Sequence, residues 1–193
     1  MTGQKSEQIN REQFYMARGK TLTCALALST VLAAQPALAG GWKTVAEVGR
    51  AGLVAAAFGG AAVQEDWNGV LQAAYSVGIT AGATYGLKEL FPEDRPNGRG
   101  DDSFPSGHAS ISFASAAFLH QRYGWQYGLP AYAVAATVGV ARIESDHHHW
   151  YDVAVGAALG TATAFLFSTK MDENVQLFPW GDSNGGGLAM NVR

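Results

Sequence analysis

Lys88-Glu-Leu-Phe-Pro-Glu-Asp-Arg95-Pro96, then Pro105-Ser106-Gly107-His108, then Arg142-Ile-Glu-Ser-Asp-His147-His148-His149-Trp-Tyr-Asp152: these pieces of one discontinuous stretch decide how the chain is read. They set three cations, two separated histidine positions and one carboxylate into sequence that is otherwise apolar and rich in Ala and Gly. Lys and Arg are the natural clamps for a dianionic phosphoryl group, whose transfer is catalysed mainly by positioned charge. A histidine followed four residues later by a carboxylate can share a helical face with it, and the carboxylate then holds the ring in one tautomer. The pattern points to phosphoryl chemistry without a metal. Pro92, Pro96, Gly98, Gly100 and Pro105 break the chain between helical segments. The expected fold is therefore all-α, a bundle of five to six helices with the chemistry on loops at one end.

In order and internal spacing, Lys88-x6-Arg95-Pro96, Pro105-Ser106-Gly107-His108 and Arg142-x5-His148-x3-Asp152 resemble the three-part signature of the type 2 phosphatidic acid phosphatase and vanadium haloperoxidase superfamily. The likeness covers residues 88–152. It departs at one place: the third part usually begins Ser-Arg, and here Ala141 precedes Arg142. The resemblance implies hydrolysis of phosphate monoester or pyrophosphate bonds through a phosphohistidine on His148, with Asp152 orienting the ring. Lys88, Arg95 and Arg142 would neutralise the phosphoryl oxygens, and His108 would protonate the leaving group and then activate water. No metal and no cofactor is implied. Membrane-embedded relatives act on lipid phosphates and soluble exported relatives are broad acid phosphatases. The haloperoxidases hold vanadate in the same constellation, but this compact chain has no extra domain for a halide and peroxide site.

Read alone, Lys88 and Arg95 beside Glu89, Glu93 and Asp94 describe a solvated loop with local ion pairs, and only the other two parts reverse that reading. Ser103 to His108 reads as a helix start: a capping hydroxyl, an early proline, then an Ala- and Ser-rich run. Unpaired N–H groups there suit an anion, Ser106 adds a hydroxyl, and Gly107 lets oxygens approach the backbone. His147, His148 and His149 together suggest a metal, yet adjacent residues project in different directions and no second His/Cys cluster completes a coordination sphere. His147 and His149 are expected at the rim, and Arg99 on the surface.

The 193 residues suit one domain over 40–171, ahead of a polar tail (172–193) that can form a small hairpin. A net charge of −3 gives no reason to expect nucleic acid as a partner. Met16-Ala-Arg18-Gly-Lys20, the apolar Thr21 to Ala34 and Ala37-Leu38-Ala39 have the order of a secretory signal peptide, with a first membrane span as the competing form of this leader (1–39). Met16 also fits as the true start, 1–15 being a polar extension. The single cysteine, Cys24, lies in the leader, so a cleaved chain forms no disulfide.

Helices are expected over Trp42–Gln64, Trp67–Leu90, Gly107–Arg122, Leu129–Arg142 and Asp152–Thr169. In the second, Gln72, Ser76, Thr80 and Thr84 form a polar stripe leading to Lys88, and Gly78, Gly82 and Gly86 a stripe suited to close helix approach. Gly156, Gly160 and Ala164 repeat that device in the last helix. Trp67 to Leu87, Tyr123 to Ala141 and Val153 to Thr169 hold no charged residue, although only 15% of the chain is charged overall. A soluble bundle exposes charged faces. Membrane embedding is therefore favoured, with the site on the periplasmic face and a lipid phosphate as substrate. Mean hydropathy of −0.00 keeps a soluble exported bundle as the alternative.

Overall fold

Five helices follow one another among the described residues: α1 (Gly41–Val63), α2 (Trp67–Leu90), α3 (Gly107–Tyr123), α4 (Trp125–Glu144) and α5 (Trp150–Phe167). A two-stranded antiparallel hairpin follows, β1 (Val175–Asp182) against β2 (Gly185–Val192), with Val175 opposite Val192. The computed structural model describes residues 41–171, 175–182 and 185–192. The expected leader, Cys24 included, lies outside them.

Local chemistry sets most of the boundaries. Asp66 caps α2, accepting from Gly69 N at 2.9 Å, and Pro92 follows the end of that helix. Ser106 caps α3, its hydroxyl accepting from Ala109 N at 3.5 Å. Ser103, the expected cap, instead turns inward to another partner described below. Gly124, at φ +90°, ends α3 and lets α4 begin at once. That start, at Trp125, corrects the expected Leu129: Pro130 sits inside the helix, where it costs one hydrogen bond near the start and does not stop propagation.

α3 is central because its side chains are small. Ala109, Ser110, Ser112, Ala114, Ser115, Ala116 and Ala117 are all fully buried, with Phe118 filling the space they leave. All four other helices pack on it. The closest approach is to α5: a Cβ at Gly156 would fall 2.6 Å from Ser106 O, and one at Gly160 would collide with Ser110 O and lie 2.8 Å from Ala114 N. The small-residue stripe of the last helix is thus an interface. Among the described residues the stripe on α2 is not: none of them lies within 4 Å of a Cβ at Gly78, Gly82 or Gly86. α2 turns its polar stripe inward instead. Thr84 bonds Ser110 at 2.9 Å, Ser76 bonds Ser168 at 3.1 Å, and Gln72 bonds Thr169 at 3.1 Å. These residues stitch helices together and, Lys88 aside, do not line the site.

The helices alternate in direction, so the starts of α1, α3 and α5 meet the ends of α2 and α4. At the opposite end Arg122 grips the Asp66 carboxylate through Nη2 at 2.6 Å and Nε at 2.8 Å, and donates to the carbonyls of Thr169 and Lys170. Large exposed apolar side chains sit at both ends: Trp42, Leu90, Phe91 and Trp150 at one, Val63, Trp67 and Trp125 at the other.

Candidate active site

A pocket of about 300 Å³ opens where α1, α3 and α5 begin. Lys43 and Glu47 reach it from α1, Lys88 from the end of α2, Arg95 from the following loop, Gly107 and His108 from the start of α3. Arg142 comes from the end of α4 and His147 and His148 from the turn before α5. Two backbone ties close the loops over one another: Asn97 N to Asp146 O at 3.1 Å and Ser106 N to Asp152 O at 3.0 Å.

Each cation is held differently. Lys88 Nζ donates to the carbonyl of Asp102, and to that of Ser103 at 3.4 Å. Arg95 Nη2 donates to Asp102 Oδ2 at 2.8 Å, a bond that holds the Asp102 carboxyl below its ordinary range against the opposing effect of burial. Arg142 is 3% exposed, and its Nε is buried without a hydrogen-bond partner. A buried guanidinium facing an open pocket is a site for an oxyanion.

His148, also 3% exposed, sits behind these charges. Its Nδ1 lies 3.6 Å from Asp152 Oδ2, which leaves Nε2 for the pocket. Burial pushes the ring down to about 3, with Arg142 and Lys88 adding to the effect and Asp152 opposing it. The ring is therefore unprotonated at any ordinary pH. Asp152 is fully buried behind the pocket wall, and the same oxygen accepts from Ser103 Oγ at 2.6 Å and from His149 N at 2.8 Å. Ser106, equally buried, serves the cap of α3 and does not line the pocket. Glu93, His149 and Asp152 bring three potential ligand atoms within 4.8 Å of one another. Tyr151 already donates to Glu93, and Ser103 and His149 N to Asp152, so the group reads as a hydrogen-bond network.

His108 Nε2 lies 2.9 Å from Glu47 Oε1. Burial, then Arg142, pushes this ring down to about 4, and the bond to Glu47 works the other way. Lys43 and Glu47 were not singled out in the sequence, and Ser103 was read there only as a helix cap. For the first two there was a signal. Lys43, Glu47 and Arg50 are the charged residues of α1, spaced as one helical face and confined to the end where the helix begins.

A family model described as the PAP2 superfamily matches residues 69–176 of the 193. The chain belongs to the PAP2 superfamily. All three motif parts fall inside the PAP2 match, and α1 with Lys43 and Glu47 falls outside it. Over 116 residues the chain is 30% identical to the lipid A 4'-phosphatase of Helicobacter pylori, covering 54% of this chain and 59% of that protein. Over 108 residues it is 34% identical to the lipid A 1-phosphatase of Porphyromonas gingivalis, covering 53% and 24%. The matches thus span less than two thirds of either relative. Among solved structures, that of Aquifex aeolicus LpxE superposes with a TM-score of 0.57 at 21% identity, covering 65% of this chain and 81% of that one. The two share a fold.

Proposed function

We propose that this PAP2 protein is a phosphatase of lipid phosphates, cleaving phosphate monoester or pyrophosphate bonds through a phosphohistidine on His148. One observation carries the reading: Lys88, Arg95 and Arg142 line the same pocket as His108 and His148. His148 Nε2 attacks phosphorus while the bond to the leaving oxygen breaks; that oxygen departs with the electron pair and takes a proton from His108. In the second step water bonds to phosphorus and gives a proton to His108, and the P–N bond breaks with its electrons returning to His148. The three cations hold the equatorial oxygens, the work that magnesium shares in kinases and GTPases.

A lipid substrate is supported by the names of the matched relatives, lipid A phosphatases among them. α1 and α5 are long and apolar enough to cross a bilayer, with hydropathy 1.2 and 1.3. The exposed Trp residues at the two ends of the bundle are placed as interfacial anchors. α2, which runs between these ends, is about 36 Å long at 1.5 Å per residue, against a hydrocarbon thickness of about 30 Å. The pocket opens at one of these ends, where a lipid phosphate reaches the cations while its chains stay in the bilayer. The basic Met16 to Lys20 ahead of an uncharged run supports placing that end on the exported, periplasmic face. The near-zero mean hydropathy favours the second reading, a soluble exported acid phosphatase.

The test is phosphate release by purified protein from lipid A, phosphatidate and p-nitrophenyl phosphate, with alkaline carbonate extraction of membranes beside it. Lipid turnover by a membrane-retained protein is expected. Full release of active protein into the soluble fraction moves the substrates to small esters, and no phosphate from any substrate ends the phosphatase reading.

A further inference from the structure

We infer that Glu47 is the positioning residue for His108: its carboxylate fixes the ring through Nε2 and leaves Nδ1 to hand a proton to the leaving oxygen. The inference rests on the phosphatase reading and adds a residue from a helix outside the PAP2 match.

Glu47 is held at both oxygens. Oε1 faces His108 Nε2 at 2.9 Å, and Oε2 accepts from Arg50 Nη2 at 2.9 Å. Its helix is seated firmly at this level. Val45 and Ala46 pack with Val138 and Ala141 of α4, and Gly49 meets Val138 so closely that a Cβ there would lie 2.6 Å from Cγ2. The carboxylate is half-exposed, but the backbone that carries it is packed closely against α4. His108 Nδ1 has no hydrogen bond among the described residues, so the second nitrogen is the one available to substrate.

The surrounding charges give Glu47 its purpose. His108 faces Glu47 and Arg50 from α1 and Arg142 from α4. Lys43, Lys88, Arg95, His147 and His148 line the same pocket. Arg142 and Arg50 discourage a positive charge on the ring. Among the described residues Glu47 is the only carboxylate lining the pocket. A carboxylate in contact with an imidazole favours the charged form and holds the tautomer that leaves the opposite nitrogen free. The site then contains two histidines that face carboxylates through opposite nitrogens: His148 Nδ1 lies 3.6 Å from Asp152, beyond hydrogen-bonding distance, and His108 Nε2 lies 2.9 Å from Glu47.

The experiment compares the full-length protein with Glu47→Gln and Glu47→Asp in detergent micelles, on alkyl phosphates and on p-nitrophenyl phosphate. Glu47→Gln is expected to lower kcat about tenfold to a hundredfold on alkyl esters, whose leaving oxygen needs the proton, and only a few-fold on p-nitrophenyl phosphate. The alkaline limb of kcat should move down by about one pH unit, and Glu47→Asp should restore part of both effects. In parallel, the ring C–H signal of His108 is titrated by NMR, with Glu47→Gln expected to shift its midpoint downward. An equal loss on every ester with an unmoved limb, or an unmoved NMR midpoint, overturns the inference. If the unsubstituted protein hydrolyses no ester, the phosphatase reading fails, and the NMR titration still decides whether Glu47 governs His108.

Discussion

Ser103 Oγ donates a 2.6 Å hydrogen bond to Asp152 Oδ2, and both side chains are fully buried. The carboxylate that faces His148 is therefore aligned by a serine from the loop before α3. Ser103→Ala leaves a buried acceptor one donor short, a loss of about 1–3 kcal/mol. The expected result is a lower melting temperature and a kcat reduced about tenfold with KM within about twofold. Unchanged kcat would show that Asp152 needs no such support.

His148→Ala should abolish turnover, whereas His147→Ala and His149→Ala should keep most of it. His148 Nδ1 faces Asp152 from a buried ring, His147 Nδ1 is occupied by Ser145, and His149 stacks on Tyr151 outside the pocket lining. Rapid quenching after labelled substrate should trap phosphate on His148. A label on either neighbour would show the wrong ring assigned.

Stability should fall on the acid side. His148 is pushed down to about 3 in the fold, chiefly by burial, whereas an unfolded histidine titrates near about 6.5. Between those values the unfolded chain binds a proton that the folded chain does not. Its contribution is therefore complete above the higher value and is lost as pH drops toward the lower one. His108, pushed to about 4 chiefly by burial, carries the same sign. Melting temperature should hold steady above about pH 6.5 and decline below it, less steeply in His148→Gln. A melting temperature that rises on acidification would contradict this.

Two glycines should behave oppositely. Gly82→Ala meets nothing within 4 Å, so the helix gains about 0.5–1 kcal/mol in propensity and should melt at the same temperature or higher. Gly160→Ala meets the backbone of Ser110 and Ala114, which cannot yield as a side-chain tip can. It should melt several degrees lower and lose activity, because the helix it displaces carries His108. Circular dichroism melts of the two variants decide the matter.

What the sequence made legible follows from the range of the interactions. α2 was expected at Trp67–Leu90 and is found there, because an Asp cap and a following proline are local signals. The inward turn of Gln72, Ser76 and Thr84 was not readable, since their partners Thr169, Ser168 and Ser110 lie far along the chain. The glycine stripes of α2 and α5 share one spacing, yet among the described residues only the second meets a neighbour, and spacing alone does not say which face is covered. In the site, the pairing of His148 with Asp152 was legible as an i, i+4 relationship. The pairing of His108 with Glu47 joins residues 61 positions apart, and nothing local announces it.

Arg122 and Arg142 are buried to nearly the same depth, 6% and 3% exposed, at opposite ends of the bundle. The first is already complexed: Asp66 meets it through two oxygens at 2.6 and 2.8 Å. On the proposed function a tetrahedral oxyanion would stand to Arg142 as that carboxylate stands to Arg122, so a released phosphate would be the same kind of object as one of the protein's own folding contacts. Free phosphate at a hundred times its dissociation constant would add about 2.7 kcal/mol to the folded state. Product inhibition and product-induced rigidity would then be one equilibrium, and how quickly phosphate leaves would set how long the protein stays in its most stable form.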